Sequence, residues 1–241
     1  MAYRSVVSDF TLLDAASQPW TLSQRRGEAV TLVFVRGDWC PFCQCQLMSL
    51  AAHHQDLAAA GSHLVAITSD SPEQNAAVIE ACALTFPLLS DHDRSGAIEP
   101  YRVADERDPR GISLPAVIVV SPEGHELFRA VGGDPADRVS EDELFSVLEP
   151  LKLPPVTPED VAVGSAKAGP HAVTLDMLGP YLLGARGAVM VLSERLGANV
   201  PASNEFLEML ERYRAVVRQV RRSHERQLAK RPRAGAVDPD V

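Results

Sequence analysis

The sequence predicts an α/β fold: a mixed sheet flanked by helices, followed by a helical extension at the C-terminal end. Three observations carry that reading. Short β-branched runs alternate with helical stretches as far as residue 150, a hairpin closes the series, and an apolar repeat averaging 3.5 residues fills 203–231.

The elements follow in order. Residues 29–35, Ala-Val-Thr-Leu-Val-Phe-Val, are almost continuously apolar, as a central strand covered on both faces requires. A helix is expected from Cys40 to about Ala60, where Gly61 is a natural stop. A strand over 63–68 leads to Ser71 and Pro72, a cap and a first helical residue, and the helix they open runs to Cys82. A short strand at 86–89 and a short helix at 94–101 come next. Residues 115–121 and 125–131 form a hairpin about the turn Pro122-Glu123-Gly124, and Ser140 caps a helix with acidic residues in its first turn.

The first 150 residues therefore read as one domain. Residues 151–173, with prolines at 154, 155, 158 and 170, read as a linker. Two helices follow within 174–231, the first with an internal Gly179-Pro180 break. The second places Phe206, Leu210, Tyr213, Val217, Val220 and His224 at intervals of 4, 3, 4, 3 and 4, an a/d seam that needs a partner. That partner is either the preceding helix or a second subunit, so a homodimer through these helices is an open expectation. Residues 232–241 read as a frayed tail.

The net charge of −9 disfavours nucleic acid and anionic membranes as general partners. The charge is uneven: residues 1–200 hold 14 Lys/Arg against 26 Asp/Glu, and residues 201–241 hold 9 against 6. The Arg-rich face of the last helix reads as solvated and locally paired. With no signal-like start and no unbroken apolar span of membrane length, a cytoplasmic location is the simplest expectation.

Four cysteines stand at 40, 43, 45 and 82, three of them within six residues. Such clustering suits redox chemistry or a metal better than a framework of long-range disulfides. A zinc site normally needs a second ligand pair, and Cys45 points away from Cys43 around the helix, so no metal is expected. Cys45 and Cys82 read as small core residues. Cys40, at the helix start, has backbone N–H groups and the positive end of the helix dipole beside it, both of which favour thiolate. Cys43 lies one turn further on, within reach of a disulfide. Pro41 suits the first turn, and Trp39 is expected to wall the site. The expected division is an exposed Cys40 that attacks and a sheltered Cys43 that resolves. Arg36 and Asp38 either tune proton transfer there or are ordinary loop charges.

The stretch from Phe34 to Cys43, together with Leu114-Pro115 before a strand, Ser121-Pro122-Glu123-Gly124 after it and the entry Asp9-Phe10-Thr11-Leu12, resembles the peroxiredoxin-like branch of the thioredoxin superfamily, the alkyl hydroperoxide reductase and thiol-specific antioxidant group. The resemblance covers about residues 5–150 and implies a thioredoxin-like fold. Aligned on Cys43, the family pattern P-x-x-x-T-x-x-C has Arg36 at its proline and Cys40 at its threonine, and the family's later arginine aligns with Pro115. In thioredoxins that last position is a cis-proline facing the cysteines, which makes Pro115 the implied substrate-shaping residue. The resemblance thus implies a thiol-disulfide oxidoreductase needing no cofactor beyond its own thiols, reduced by a thioredoxin or a low-molecular-weight thiol. Two alternatives stand beside it. One is a peroxidase in which Cys43 meets peroxide and Cys40 resolves; the other is a redox-sensing interaction protein.

Overall fold

The computed structural model describes residues 5–159, 161–197 and 200–230. The expected tail at 232–241 lies outside them. The chain runs β1 (Thr11–Leu13), β2 (Pro19–Thr21), β3 (Ala29–Phe34), α1 (Pro41–Ala52), α2 (His54–Ala59), β4 (Ser62–Thr68), α3 (Pro72–Cys82), β5 (Leu88–Ser90), β6 (Ala116–Val120), β7 (Glu126–Val131), α4 (Glu141–Leu148), α5 (Leu175–Leu196) and α6 (Pro201–Lys230). The strands form one mixed sheet in the order β2-β1-β5-β4-β3-β6-β7. Here β3 pairs with β4, and β4 with β5, in parallel, while β6 runs antiparallel to β3. Every residue of β3 and β4 is buried, which is why those strands read as unbroken apolar runs.

The sheet has two differently covered faces. One carries Phe10, Trp20, Phe34, Ile98 and Tyr101 beneath the N-terminal hairpin and the turns at 91–103. The other carries α1, α3 and α4, and its apolar cluster also takes in Leu178 and Leu182 of α5 and Leu210, Tyr213 and Val217 of α6. The a/d seam of α6 therefore packs inward, against α1 as well as α5, and its three central members are almost fully covered. α5 stays helical through Pro180.

Several expectations are corrected. The helix foreseen over 40–60 is interrupted at His53, whose backbone (φ −109°, ψ 9°) leaves the helical region. The helix foreseen at 94–101 is a chain of turns, tied together by the Asp91 carboxylate, which accepts the N–H groups of Gly96, Ala97 and Ile98. The β1–β2 hairpin was not foreseen. α5, 22 residues long, is apolar and long enough to cross a membrane. Asp176, Arg186, Glu194 and Arg195 break its apolar run, so the sequence holds no unbroken span there although the helix as a whole is apolar.

The linker segment is irregular, as its prolines require, but it is tied to the domain along its length. Glu159 accepts from Trp20 Nε1 (2.9 Å) and pairs with Arg25, and Gly164 N–H reaches the Ala15 carbonyl (3.0 Å). Lys167 N–H bonds to the Glu73 carbonyl and Val173 N–H to that of Asp38.

Candidate active site

β3 ends at Phe34, and the chain must turn sharply to place α1 over the sheet. Gly37 makes the turn at φ +143°, and a Cβ there would meet Trp39 Nε1 at 2.7 Å and Asp70 Oδ1 at 3.2 Å. Only glycine satisfies both conditions. Cys40 is the N-cap, its Sγ accepting the N–H of Cys43 at 3.3 Å, and Pro41 follows in the first turn, where its missing N–H costs nothing.

Cys43 Sγ receives two donors. The Arg36 N–H lies at 3.3 Å and Arg138 Nη2 at 3.2 Å; the same Nη2 is 3.7 Å from Cys40 Sγ. Arg138 is held in turn by Gln46 Oε1 at 2.8 Å and the Pro135 carbonyl at 2.8–2.9 Å. A sulfur anion is thus met by a fixed guanidinium and a fixed N–H. Burial alone would push the Cys43 thiol up. The hydrogen bond with Cys40, the Arg138 charge and the Arg36 N–H outweigh it and bring the pKa from 9.0 to about 5. Cys40 moves the opposite way: burial, its hydrogen bond to Cys43 and the negative charge of that neighbour hold its proton on.

The expected exposed Cys40 beside a half-buried Cys43 is therefore corrected. Both are 1% exposed, and the ionised sulfur is Cys43. The helix terminus is next to Cys40, but Cys43 takes the hydrogen bond from Cys40, the charge of Arg138, on the loop between β7 and α4, and the Arg36 N–H. Above the thiols, Phe42 meets the rings of Tyr181 (5.7 Å) and Phe206 (6.0 Å), so the helical extension roofs the site. An open groove of about 950 Å³ between α6 and the loop at 134–142 is lined by Arg138, Phe206 and Arg212 and approaches the site from one side.

The remaining expected residues fall as follows. Arg36 contributes its backbone; its guanidinium turns away to Asp105 (3.4 Å) and Asp108 (3.2 Å). Trp39 packs on the core cluster and carries the Arg110 guanidinium 3.6 Å above its ring. Asp38 is a clamp. Its carboxylate accepts from Gly169 N–H (2.8 Å) and Gln74 Nε2 (3.3 Å), its carbonyl from Gln44 Nε2 (2.6 Å), and its own N–H donates to Asp70 Oδ2 (2.8 Å). Burial and the Asp38 charge raise Asp70 to about 6. Pro115 lines a small cavity with Gln46 and Arg138, but the described residues contain no cis peptide bond, so the cis-proline expectation is corrected. Arg138 was not singled out from the sequence. It sits among Asp134, Asp137 and Asp142 with no motif around it, and only a basic residue isolated in an acidic loop marks it.

The geometry can be set beside known proteins. A family model described as the AhpC/TSA family matches residues 4–125, ending before Arg138. A putative peroxiredoxin of Mycobacterium tuberculosis is 39% identical over 109 residues, spanning 45% of this chain and 69% of its own length. Peroxiredoxin Bcp of Escherichia coli is 30% identical over 106 residues, spanning 44% and 67%. Peroxiredoxin 2 of Thermoplasma acidophilum is 27% identical over 152 residues, spanning 60% and 73%. In structure, peroxidoxin BcpB from Mycobacterium tuberculosis superposes with a TM-score of 0.55 at 20% identity, over 63% of this chain and 99% of that one. AhpC of Enterococcus faecalis gives 0.54 at 21% identity, over 62% and 92%. These two likenesses speak for the fold.

Proposed function

Starting from the membership of this chain in the AhpC/TSA family, and so from a thiol-based oxidoreductase, we propose that it is a thiol peroxidase in which Cys43 meets the peroxide and Cys40 resolves. The observation that carries this is the placement of Arg138 Nη2 3.2 Å from Cys43 Sγ, with the Arg36 N–H as second donor. A thiolate attacks the distal oxygen of R-O-O-H; the O–O bond breaks, Cys43 becomes sulfenic acid, and the alkoxide leaves with a proton as alcohol. The same guanidinium is positioned for the charge that develops on the departing oxygen. Cys40, 3 residues away on the same turn, then gives its proton to the departing hydroxyl and attacks the sulfenic sulfur as thiolate; the S–O bond breaks, giving a Cys40–Cys43 disulfide and water. A thioredoxin or a low-molecular-weight thiol supplies the two electrons that restore both thiols. Clustered reducible cysteines fit a cytoplasmic setting.

This reading reverses the order of attack that the helix start alone suggests. A dithiol exchanger led by Cys40 would need that thiol accessible and ionised, and here it is neither. Rapid mixing with hydrogen peroxide and sulfenate trapping decide between them. Cys43→Ser is expected to abolish the fast step, while Cys40→Ser keeps it and accumulates trapped sulfenate. A fast step lost in Cys40→Ser and kept in Cys43→Ser would overturn the assignment.

A further inference from the structure

α5 has two sides. Leu178 and Leu182 are fully covered against the core, whereas Met177, Leu183, Val191 and Leu192 are 49–56% exposed. On the open side the sequence continues much of the pattern that usually marks an inward seam: Met177, Gly184, Ala188, Val191 and Arg195 follow at intervals of 7, 4, 3 and 4, while Tyr181, between the first two, turns its ring to Phe42. Gly184 and Gly187 lie on that side, and a Cβ built on either meets nothing within 4 Å. An interior helix glycine costs about 1 kcal/mol relative to alanine, and no contact within the chain offsets the cost at these two positions.

We infer that α5 is a self-docking surface, which pairs antiparallel with α5 of a second copy of this chain and crosses it at Gly184 and Gly187. The register follows from the sequence. An antiparallel pair centred between residues 185 and 186 sets Gly184 opposite Gly187 and Val191 opposite Pro180, and places Asp176 of each copy, whose exposed carboxylate lies 3.2 Å from Arg221 of its own chain, beside Arg195 of the other. Small residues meet where the backbones come closest, apolar residues flank them, and opposite charges close both ends. Only a self-complementary face matches itself in this way, and it gives a closed two-fold contact. Parallel pairing would set Asp176 against Asp176.

A lipid bilayer is the competing occupant, because α5 is long and apolar enough. The inner side of α5 argues for a protein partner instead. Arg186 pairs with Glu211 of α6 at 2.7 Å, so insertion would tear α5 from a charged neighbour.

The full chain is expected to sediment as a dimer at micromolar concentration. Gly184→Arg should raise the dissociation constant about 100-fold, and Ala188→Arg, on the same exposed side, should do the same if the first variant loses helical signal. A short bis-maleimide should join two copies of Gly184→Cys, whose substituted positions lie about 4.5 Å apart along the paired axes; it should not join Met177→Cys, at about 26 Å. The native cysteines are buried. A wild-type chain that stays monomeric, equal cross-linking of both variants, or flotation of the wild type with phosphatidylcholine vesicles would each overturn the inference.

Discussion

The surroundings of Cys43 and the outer side of α5 are opposites built from the same kind of helix. At Cys43 a charge is buried and its donors, a guanidinium and a backbone N–H, are fixed, the guanidinium held from behind by Gln46 Oε1 and the Pro135 carbonyl, which accept from it. On α5 apolar atoms are bare and the small residues at the centre touch nothing. The first region is finished within one chain, and the second is not. A buried ion is costly unless the fold pairs it, so its partners are found within the same chain. An apolar side has no such requirement and can wait for a second molecule.

The comparison can be broken hardest at Phe42, where the two regions touch through the rings of Tyr181 and Phe206. Phe42→Ala should cost about 3–5 kcal/mol, read by chemical denaturation, with α5–α6 and the sheet domain unfolding in one transition. Two separated transitions would show that the extension is a body of its own.

Arg138→Met sharpens the polar side. The rate of sulfenate formation at neutral pH should fall about 10²–10³-fold, and the ionisation midpoint of Cys43 should rise from about 5 toward 9.0. The stability effect has a definite sign. A thiol whose pKa is lowered on folding adds stability that is full above about pH 9 and is lost as pH falls to about 5. The variant should flatten that slope, and Tm against pH from 5 to 9 measures it.

The smallest effect is expected at Asp70. Folding raises its pKa from 3.8 to about 6, so the fold favours the protonated acid, and stability falls as pH climbs through that interval. Asp70→Asn keeps an acceptor for the Asp38 N–H. It should stabilise the protein on the order of 1 kcal/mol above pH 6, with no gain below pH 4. A gain that does not vary with pH would assign the effect to packing.

Much of this was legible in the sequence for stated reasons. β3 and α3 declared themselves because continuous apolarity and a Ser71–Pro72 start are local signals, and α3 spans Pro72–Cys82 as read. The cysteine pair was legible from spacing alone. The identity of the ionised sulfur was not, because it depends on a side chain 95 positions downstream. Family alignment looked for that cation at Pro115, whereas the fold delivers it from the loop at 134–140. The turns at 91–103 are illegible for a similar reason: the Asp91 carboxylate that gathers the N–H groups of residues 96–98 stands outside the window in which a helical pattern is read. Asp38 was noticed as a charge near the thiols, but its work as a tie to residues 169 and 173 depends on a contact more than 100 positions away.

Arg138 has one more consequence. A disulfide carries no charge, so joining Cys40 to Cys43 leaves the half-buried Arg138 guanidinium facing two neutral oxygens, those of Gln46 and Pro135. Oxidation of two sulfurs therefore shows up one layer away as a surplus positive charge beneath α6, on the wall of the groove that leads outward. A partner arriving by that groove would meet a different electric field according to whether the protein had been spent or restored.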